Sequence, residues 1–300
     1  MKVLIGGGTG FVGRHLEKAL RQRGHTVQLI SRSKGADRVS WSELKEEQKL
    51  PECDALVNLS GEYILNPFRL WNASYKKDIY DSRIGTNQLL TDLVTKATTR
   101  PSVWVSAHAE GIYPRSHHKT YDDHYQPESK EGNYGQQLCY DWEKSAMLPS
   151  DVTDVRHVGV RIGLVLGRDG GFIQQSYLPF WLGLGGTVGS GDQKFPWIHI
   201  KDTANIFVHA IENDNMTGFY NAISPGQCNS SDFSRAFGAA LNRPSFMWVP
   251  SFVIQLMTGR DRAPFILEGS RIKPTRTLES GFQFEFEDIE QAMVDIVNTK

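Results

Sequence analysis

Long apolar runs are missing from this 300-residue chain. No segment approaches the roughly 18 continuous apolar residues of a membrane-spanning helix, so no membrane partner is expected. A surplus of charge is missing too. Lys plus Arg number 33 and Asp plus Glu 34, a net charge of −1, which gives no reason to expect nucleic acid or an anionic lipid surface as partner. Cysteine is scarce. Cys53, Cys139 and Cys228 lie far apart with no C-x-x-C spacing, which excludes a zinc knuckle and a disulfide framework and reads as reduced thiols. The chain begins Met-Lys and enters an apolar strand at Val3, so no signal-peptide pattern stands in front of it. A cytoplasmic location is the expectation, with an organelle reached by another route as the alternative. Internal repeats, low-complexity tracts and charged tails are also absent.

What is present is alternation. Short β-rich runs at Lys2–Ile5, Thr26–Ile30, Ala55–Leu59, Val103–Ala107 and Val155–Val165 alternate with amphipathic stretches at Phe11–Arg23, Ala73–Thr98 and Tyr134–Met147. The pattern predicts an α/β fold with a doubly wound, Rossmann-like parallel sheet. Beyond Gly167 the texture changes. Five glycines between 183 and 191 predict a loop. Helices are expected at Asp202–Glu212 and Ser231–Leu241, the latter capped by Ser230 or Ser231, with a strand at Phe219–Ile223. The last fifty residues read as a small appended lobe.

The first strand and helix are joined by Gly7-Gly8-Thr9-Gly10-Phe11-Val12-Gly13, a G-x-x-G-x-x-G turn. Such a turn brings backbone close to a pyrophosphate and presents the free N–H groups of a helix start to it. The second strand ends Ser31-Arg32-Ser33-Lys34, with no acid between Thr26 and Ala36. A carboxylate there would bind a ribose 2′-hydroxyl and repel a 2′-phosphate. Arg32, helped by a hydroxyl of Ser31 or Ser33 and by Lys34 at longer range, suits the phosphate, so the expected cofactor is NADP(H). Asn58-Leu59-Ser60-Gly61-Glu62 ends the third strand and offers small residues beneath the cofactor, Glu62 either touching ligand, holding the loop or lying at the surface. Arg83 on the long helix either reaches back toward the phosphates or is an ordinary surface arginine.

Together with that turn, Asn58–Gly61 and Trp197-Ile198-His199-Ile200-Lys201-Asp202 resemble the extended short-chain dehydrogenase/reductases, relatives of the sugar-nucleotide epimerases. A closer resemblance is to an atypical subgroup of these, the epimerase family, described as NADP-dependent oxidoreductases. Its pattern recurs in Trp142-Glu143 with Ala146, in Arg161–Gly167, in Phe195–His199, in Arg243–Pro250 and in Glu279–Phe282, so it spans essentially the whole chain. The resemblance implies a Rossmann domain over 1–165, its sheet completed by segments around 203–225. It also implies an interleaved substrate-side region over 166–300, with 243–300 as a small C-terminal lobe.

Members of the wider superfamily transfer hydride with a Ser, Tyr and Lys trio. By raw spacing Tyr140 and Lys144 match Y-x-x-x-K. The family also places a Glu four residues after its Lys. If that Glu is Glu143, the Lys position is Cys139, the Tyr position is Gly135, and the serine position is His108. All three residue types are then replaced. Ser106 and His108, which share one face of a strand, and Tyr113 on the following loop are the substitutes at hand. Leu138 and Cys139 would pack against the nicotinamide ribose. His199 and Asp202 are expected to serve structure, Asp202 as a helix cap. Trp197 is expected to shape the substrate pocket, and Arg161 to pair with an acidic substrate or a nearby carboxylate. The implied activity is NADP(H)-dependent oxidoreduction or epimerisation of an unknown carbonyl or sugar-nucleotide-like small molecule. A catalytically silent NADP(H)-binding regulatory module is the alternative. Residues 73–98 and 134–147 offer helices through which a homodimer would form, and a monomer fits equally.

Overall fold

The computed structural model describes residues 1–66, 69, 71–116, 118–127, 132–259 and 262–299. The elements of the front half are β1 (Lys2–Gly6), α1 (Phe11–Gln22), β2 (Thr26–Ser31), β3 (Arg38–Ser40), α2 (Trp41–Glu47), β4 (Ala55–Asn58), α3 (Ala73–Tyr80), α4 (Thr86–Lys96), β5 (Val103–Ala109), β6 (Thr120–Tyr121), α5 (Tyr134–Ser145) and β7 (Arg156–Ile162). Then come β8 (Leu164–Gly167), α6 (Gly171–Trp181), β9 (Gly186–Val188), β10 (Trp197–His199), α7 (Ile200–Glu212), β11 (Gly218–Ala222), α8 (Ser230–Ala240), β12 (Met247–Val249), α9 (Ser251–Thr258), α10 (Ala263–Leu267), β13 (Arg271–Ile272), α11 (Thr275–Glu279) and α12 (Ile289–Asn298).

Seven strands form the main sheet in the order β11-β7-β5-β4-β1-β2-β3. β1 pairs parallel with β2 and β4, β2 with β3, and β4 with β5. β1 is wholly apolar where it enters the sheet, with Val3, Leu4 and Ile5 fully buried, as both faces of a doubly wound sheet demand. The chain divides into two compact units. The first comprises Met1–Ile112, Pro127–Arg161 and Ala204–Tyr220; the second comprises Tyr113–Gln126, Ile162–Thr203 and Asn221–Lys300. The first unit packs Leu4, Ile30, Leu56, Leu90, Val94 and Trp104 into one cluster. The second has its own core, in which Ile173, Phe180, Trp197, Phe233, Phe237 and Met293 meet. No helix among the described residues is long and apolar enough to cross a membrane.

Local chemistry explains where several elements start and stop. Gly24, at φ +82°, ends α1 in the left-handed region, as expected of a C-terminal glycine. Capping boxes open α2 (Ser40 with Glu43), α5 (Asn133 with Gln136) and α8 (Asn229 with Asp232). The cap of α8 is therefore Asn229, not Ser230 or Ser231. The helix expected over 73–98 is interrupted by a π-turn at Asp81–Gly85. There the Thr86 hydroxyl lies 2.8 Å from the Ser82 carbonyl and 3.0 Å from that of Arg83, supporting carbonyls the wider turn releases. The strand expected over 155–165 is broken at Gly163. Its Cβ would lie 2.4 Å from the Pro196 carbonyl oxygen, so only glycine allows the approach that hands the chain from β7 to β8. The glycine-rich loop at 183–191 contains a strand, β9, paired parallel with β12. A Cβ on its Gly186 would lie 1.7 Å from the Met247 carbonyl oxygen, so glycine is required for this pairing, and the glycines leave no alternation by which to read a strand.

Candidate functional site

The turn after β1 has the geometry its glycines suggested. Gly7 adopts φ +75°, and a Cβ there would lie 2.7 Å from the Leu59 carbonyl carbon. A Cβ on Gly13 would lie 2.4 Å from the Gly7 oxygen and 2.6 Å from the Gly8 Cα, so Gly13 seats α1 against the turn. The Gly10 N–H donates to the Gly7 oxygen at 3.0 Å, and Gly10 is the N-cap of α1. No side chain caps this helix and no acid stands in its first turn. Its free N–H groups and positive dipole end are left to an anion. Thr9 and Gly10 are exposed, while Phe11 and Val12 are half-buried beside them.

At the end of β2 the four polar residues have separate fates. The Ser31 hydroxyl is buried and donates to the Ser33 carbonyl, closing a local turn. Lys34 pairs with Glu43, and that hydrogen-bonded ammonium holds the Glu43 carboxyl at about 2. Neither Ser31 nor Lys34 is thus available as expected. Arg32 is exposed, and its guanidinium has no partner among the described residues.

The segment after β4 is fixed from within. Asn58, 2 % exposed, donates to Thr86 Oγ1 at 3.0 Å and Asn87 Oδ1 at 2.7 Å, and accepts from the Ser60 N–H at 3.0 Å. Its side chain is taken up in holding the loop, a correction to the expectation that Asn58 lies beneath the cofactor with its neighbours; Leu59, Ser60 and Gly61 remain exposed or half-buried. Glu62 receives Arg69 at 3.7 Å, and its N–H donates to Ser82 Oγ at 2.8 Å, which favours its loop-holding role.

Two polar atoms in this segment stand out. The Ser60 hydroxyl and the Arg83 Nε are buried with no hydrogen-bond partner among the described residues. Arg83 is not a surface arginine. It is 8 % exposed and lies in the π-turn, 5.0 Å over the Trp142 ring, with a single hydrogen bond to the Ile79 carbonyl at 3.3 Å. The space a Gly61 Cβ would take is 3.0 Å from its guanidinium carbon. Burial without a paired carboxylate pulls its pKa down to about 10. A buried cation in that condition is costly unless an anion joins it.

One face of α5 is buried and the other is not. Gly135, Leu138, Cys139, Trp142 and Glu143 point inward, whereas Tyr140 is half-buried and Lys144 exposed on the opposite side. The raw Y-x-x-x-K match therefore faces away from the sheet. Glu143 grips Arg161 in a buried fork of 2.7 and 3.1 Å, so Arg161 pairs with a carboxylate of its own chain. Leu138 is buried at 4 %.

The substitutes for the trio lie deeper than expected. Ser106 and His108 do share a face, with Oγ 2.7 Å from His108 Nε2. The same hydroxyl is 2.8 Å from Nε2 of His157, a residue with no signal in the linear pattern. Having one proton, the hydroxyl donates to one ring and accepts from the other. His108 is boxed edge-on by Trp142 and Phe219, each at 5.5 Å. Burial pushes both imidazoles down, His157 to about 4 and His108 well below its usual value. Ser106 and His108 are 0 % and 1 % exposed, so both are packing residues in this structure and neither is presented to a substrate. Tyr113, also fully buried, belongs to the second unit and donates to Asn221 Oδ1 at 2.7 Å.

Two further expectations change, those for Trp197 and for the cap at Asp202. Trp197 is core, 1 % exposed, its indole N–H donating to the Gly226 carbonyl at 3.0 Å. Asp202 serves structure, but as a clamp and not a cap, since its carboxylate accepts the N–H groups of Glu285 at 2.8 Å and Phe286 at 3.0 Å. The side chain at the start of α7 that accepts a backbone N–H is His199, whose Nδ1 receives Lys201 at 3.2 Å.

Residues 3–222 match the NAD dependent epimerase/dehydratase family, and residues 249–296 match a domain of unknown function. Epimerase family protein SDR39U1 of Bos taurus is 45 % identical over 300 residues, 99 % of this chain and 100 % of that protein. The chloroplastic SDR39U1 homolog of Arabidopsis thaliana is 34 % identical, over 98 % of this chain and 86 % of that protein. Among solved structures, human SDR39U1 crystallised with NADPH aligns over 100 % of both chains at a TM-score of 0.96 and 44 % identity. A UDP-N-acetylglucosamine 4-epimerase from Bacillus cereus aligns at 0.76 with 16 % identity, a likeness of fold alone.

Proposed function

The chain belongs to the NAD dependent epimerase/dehydratase family, and from that premise we propose that it is an NADP(H)-dependent oxidoreductase of epimerase type, acting on a carbonyl or sugar-nucleotide-like small molecule. The observation that carries the cofactor choice is the end of β2, where an unpartnered, exposed Arg32 stands in place of the acid that an NAD site uses. The human relative crystallised with NADPH supports the same choice.

The residues fit the group. Backbone N–H groups from Gly10 to Gly13 and the α1 dipole take the diphosphate, in a cradle that Cβ atoms on Gly7 or Gly13 would fill. Arg32 takes the 2′-phosphate. Leu59, Ser60 and Gly61 would line the adjoining portion, and the Arg83 Nε and Ser60 hydroxyl, which have no partner among the described residues, would be free to bond to it. Leu138 supplies apolar wall from α5. When bound, the cofactor supplies a hydride to or from a substrate carbon. The chain's own task is then to hold the reacting carbon still and exclude water. The proton on the reacting oxygen comes from water or from a side chain other than the usual trio, because Gly135 and Cys139 occupy the register of its Tyr and Lys. That replacement also motivates a second reading, a binding module whose NADP(H) occupancy regulates a partner.

The experiment is a panel of aldehydes, ketones and sugar nucleotides incubated with protein and NADPH, followed by nicotinamide absorbance and product mass. Turnover on any member supports the enzyme. Strong stabilisation by NADPH with no turnover across the panel favours the module. Copurified cofactor would point to an epimerase, which must retain it, over a reductase, which must exchange it.

A further inference from the structure

Two stretches of the second unit contain no charged residue at all, Gly170–Gly191 and Pro244–Gly259. The fold brings them together. β9 and β12 pair in parallel, the Met247 N–H donates to the Gly185 carbonyl at 3.2 Å, and the Trp248 indole donates to Gly189 at 2.6 Å. Nine of the large apolar side chains that are exposed lie in these stretches. Leu178, Leu182 and Leu184 are 55–60 % exposed at the end of α6, and Phe246 and Trp248 are 79 % and 63 % exposed around β12. Phe252 and Leu256, one helical turn apart on α9, are 67 % and 83 % exposed.

Met247 alternates with Phe246 and Trp248 along β12 and is left out. At roughly 200 Å² per large side chain, the other eight offer about 1,000 Å² of apolar surface at their fractional exposures. The largest apolar patch on a typical monomer is about 300–600 Å². A standard interface needs about 800 Å² from each partner. We propose that this β9/β12/α9 face binds a second copy of the chain, forming a two-fold symmetric dimer.

Charge supports a like partner over others. The face carries no lysine or arginine to draw it to an anionic bilayer and no charge of either sign to select a charged protein. A chain of net charge −1 does not repel its copy. An uncharged apolar face can meet its own copy across a two-fold axis, and Phe246, Trp248 and Phe252 would supply it with aromatic anchors. The helices over 73–98 and 134–147 are poorer candidates, because α4 and α5 turn Gln88, Asp92, Lys96 and Lys144 outward.

The test is sedimentation velocity on the full chain from about 1 to 50 µM, with Phe252→Glu and Leu256→Glu as variants. Both positions are exposed, so each variant should keep the wild-type circular-dichroism spectrum and its NADPH-induced stabilisation, which report on folding. Wild type is expected at twice the protomer mass, and each variant as a monomer with at least tenfold weaker self-association. A monomeric wild type across the range overturns the proposal. So does a dimer that both folded variants retain, or wild type that floats with phosphatidylcholine/phosphatidylserine vesicles while remaining monomeric in solution.

Discussion

Replacing Arg83 by Met should separate stability from binding. The guanidinium is 8 % exposed, has one hydrogen bond to the Ile79 carbonyl at 3.3 Å, and leaves its Nε unpartnered. Its pKa falls from the ordinary arginine range to about 10, chiefly through burial. At about 1.4 kcal/mol per unit, the folded state disfavours the charge by roughly 3 kcal/mol. Methionine keeps an apolar stem against Trp142 and removes the charge, while losing a cation–π contact of about 1–2 kcal/mol. Without cofactor, Arg83→Met should therefore be as stable as wild type or up to about 2 kcal/mol more stable. With cofactor the sign reverses. Losing a charge-assisted hydrogen bond of about 1.5–3 kcal/mol should weaken NADPH roughly 10- to 100-fold. Urea unfolding without ligand and calorimetric titration with NADPH read the two quantities. A variant destabilised by more than about 2 kcal/mol with unchanged affinity would refute the reasoning and make Arg83 a structural cation.

Arg32→Ala should lower NADPH affinity by roughly tenfold or more, leave NADH affinity unchanged and leave the melting temperature unmoved, as titration and thermal unfolding will read. Gly13→Ala places a Cβ 2.4 Å from the Gly7 oxygen, so it should cost about 1–3 kcal/mol and abolish stabilisation by NADPH in a thermal-shift assay. Burial raises the Asp202 carboxyl to about 6, so the folded state holds a proton the unfolded chain releases, and this group alone makes stability fall as pH rises from about 4 to 6. His157, lowered to about 4, acts oppositely, because the unfolded chain binds the proton first and stability is lost as pH falls from about 6.5 to 4. Asp202→Asn should thus steepen the acid loss of stability and His157→Gln should flatten it, by urea titrations across pH 4–7.

The parts of the fold that were legible are those whose cause is local. Gly7 and Gly13 are required by atoms a few residues away, and the acid-free end of β2 needs only its own four residues to be read. The inward register of Glu143 was readable because one helix face is apolar. What escaped depends on distant partners. Nothing near Arg83 announces that a π-turn will bury it beside Gly61 and Trp142. Asn58 looked like cofactor lining because its bonds to Thr86 and Asn87 lie on another helix. Ser31 and Lys34 were read as donors to a phosphate, and each is committed by a neighbour, the Ser33 carbonyl and Glu43. Ser106 and His108 were paired correctly from strand alternation, but His157 on β7 and the aromatic box close over them. A propensity argument for a cap at Asp202 failed because its carboxylate is claimed by backbone N–H groups more than eighty residues away.

The central claim is that the first unit selects NADP(H) through Arg32. Calorimetric titration of the wild-type chain with NADPH and with NADH, in one buffer at one ionic strength, tests it most directly. NADPH should bind saturably with one site per chain, and NADH at least tenfold more weakly. Equal affinities for the two, or no binding of NADPH, would contradict it.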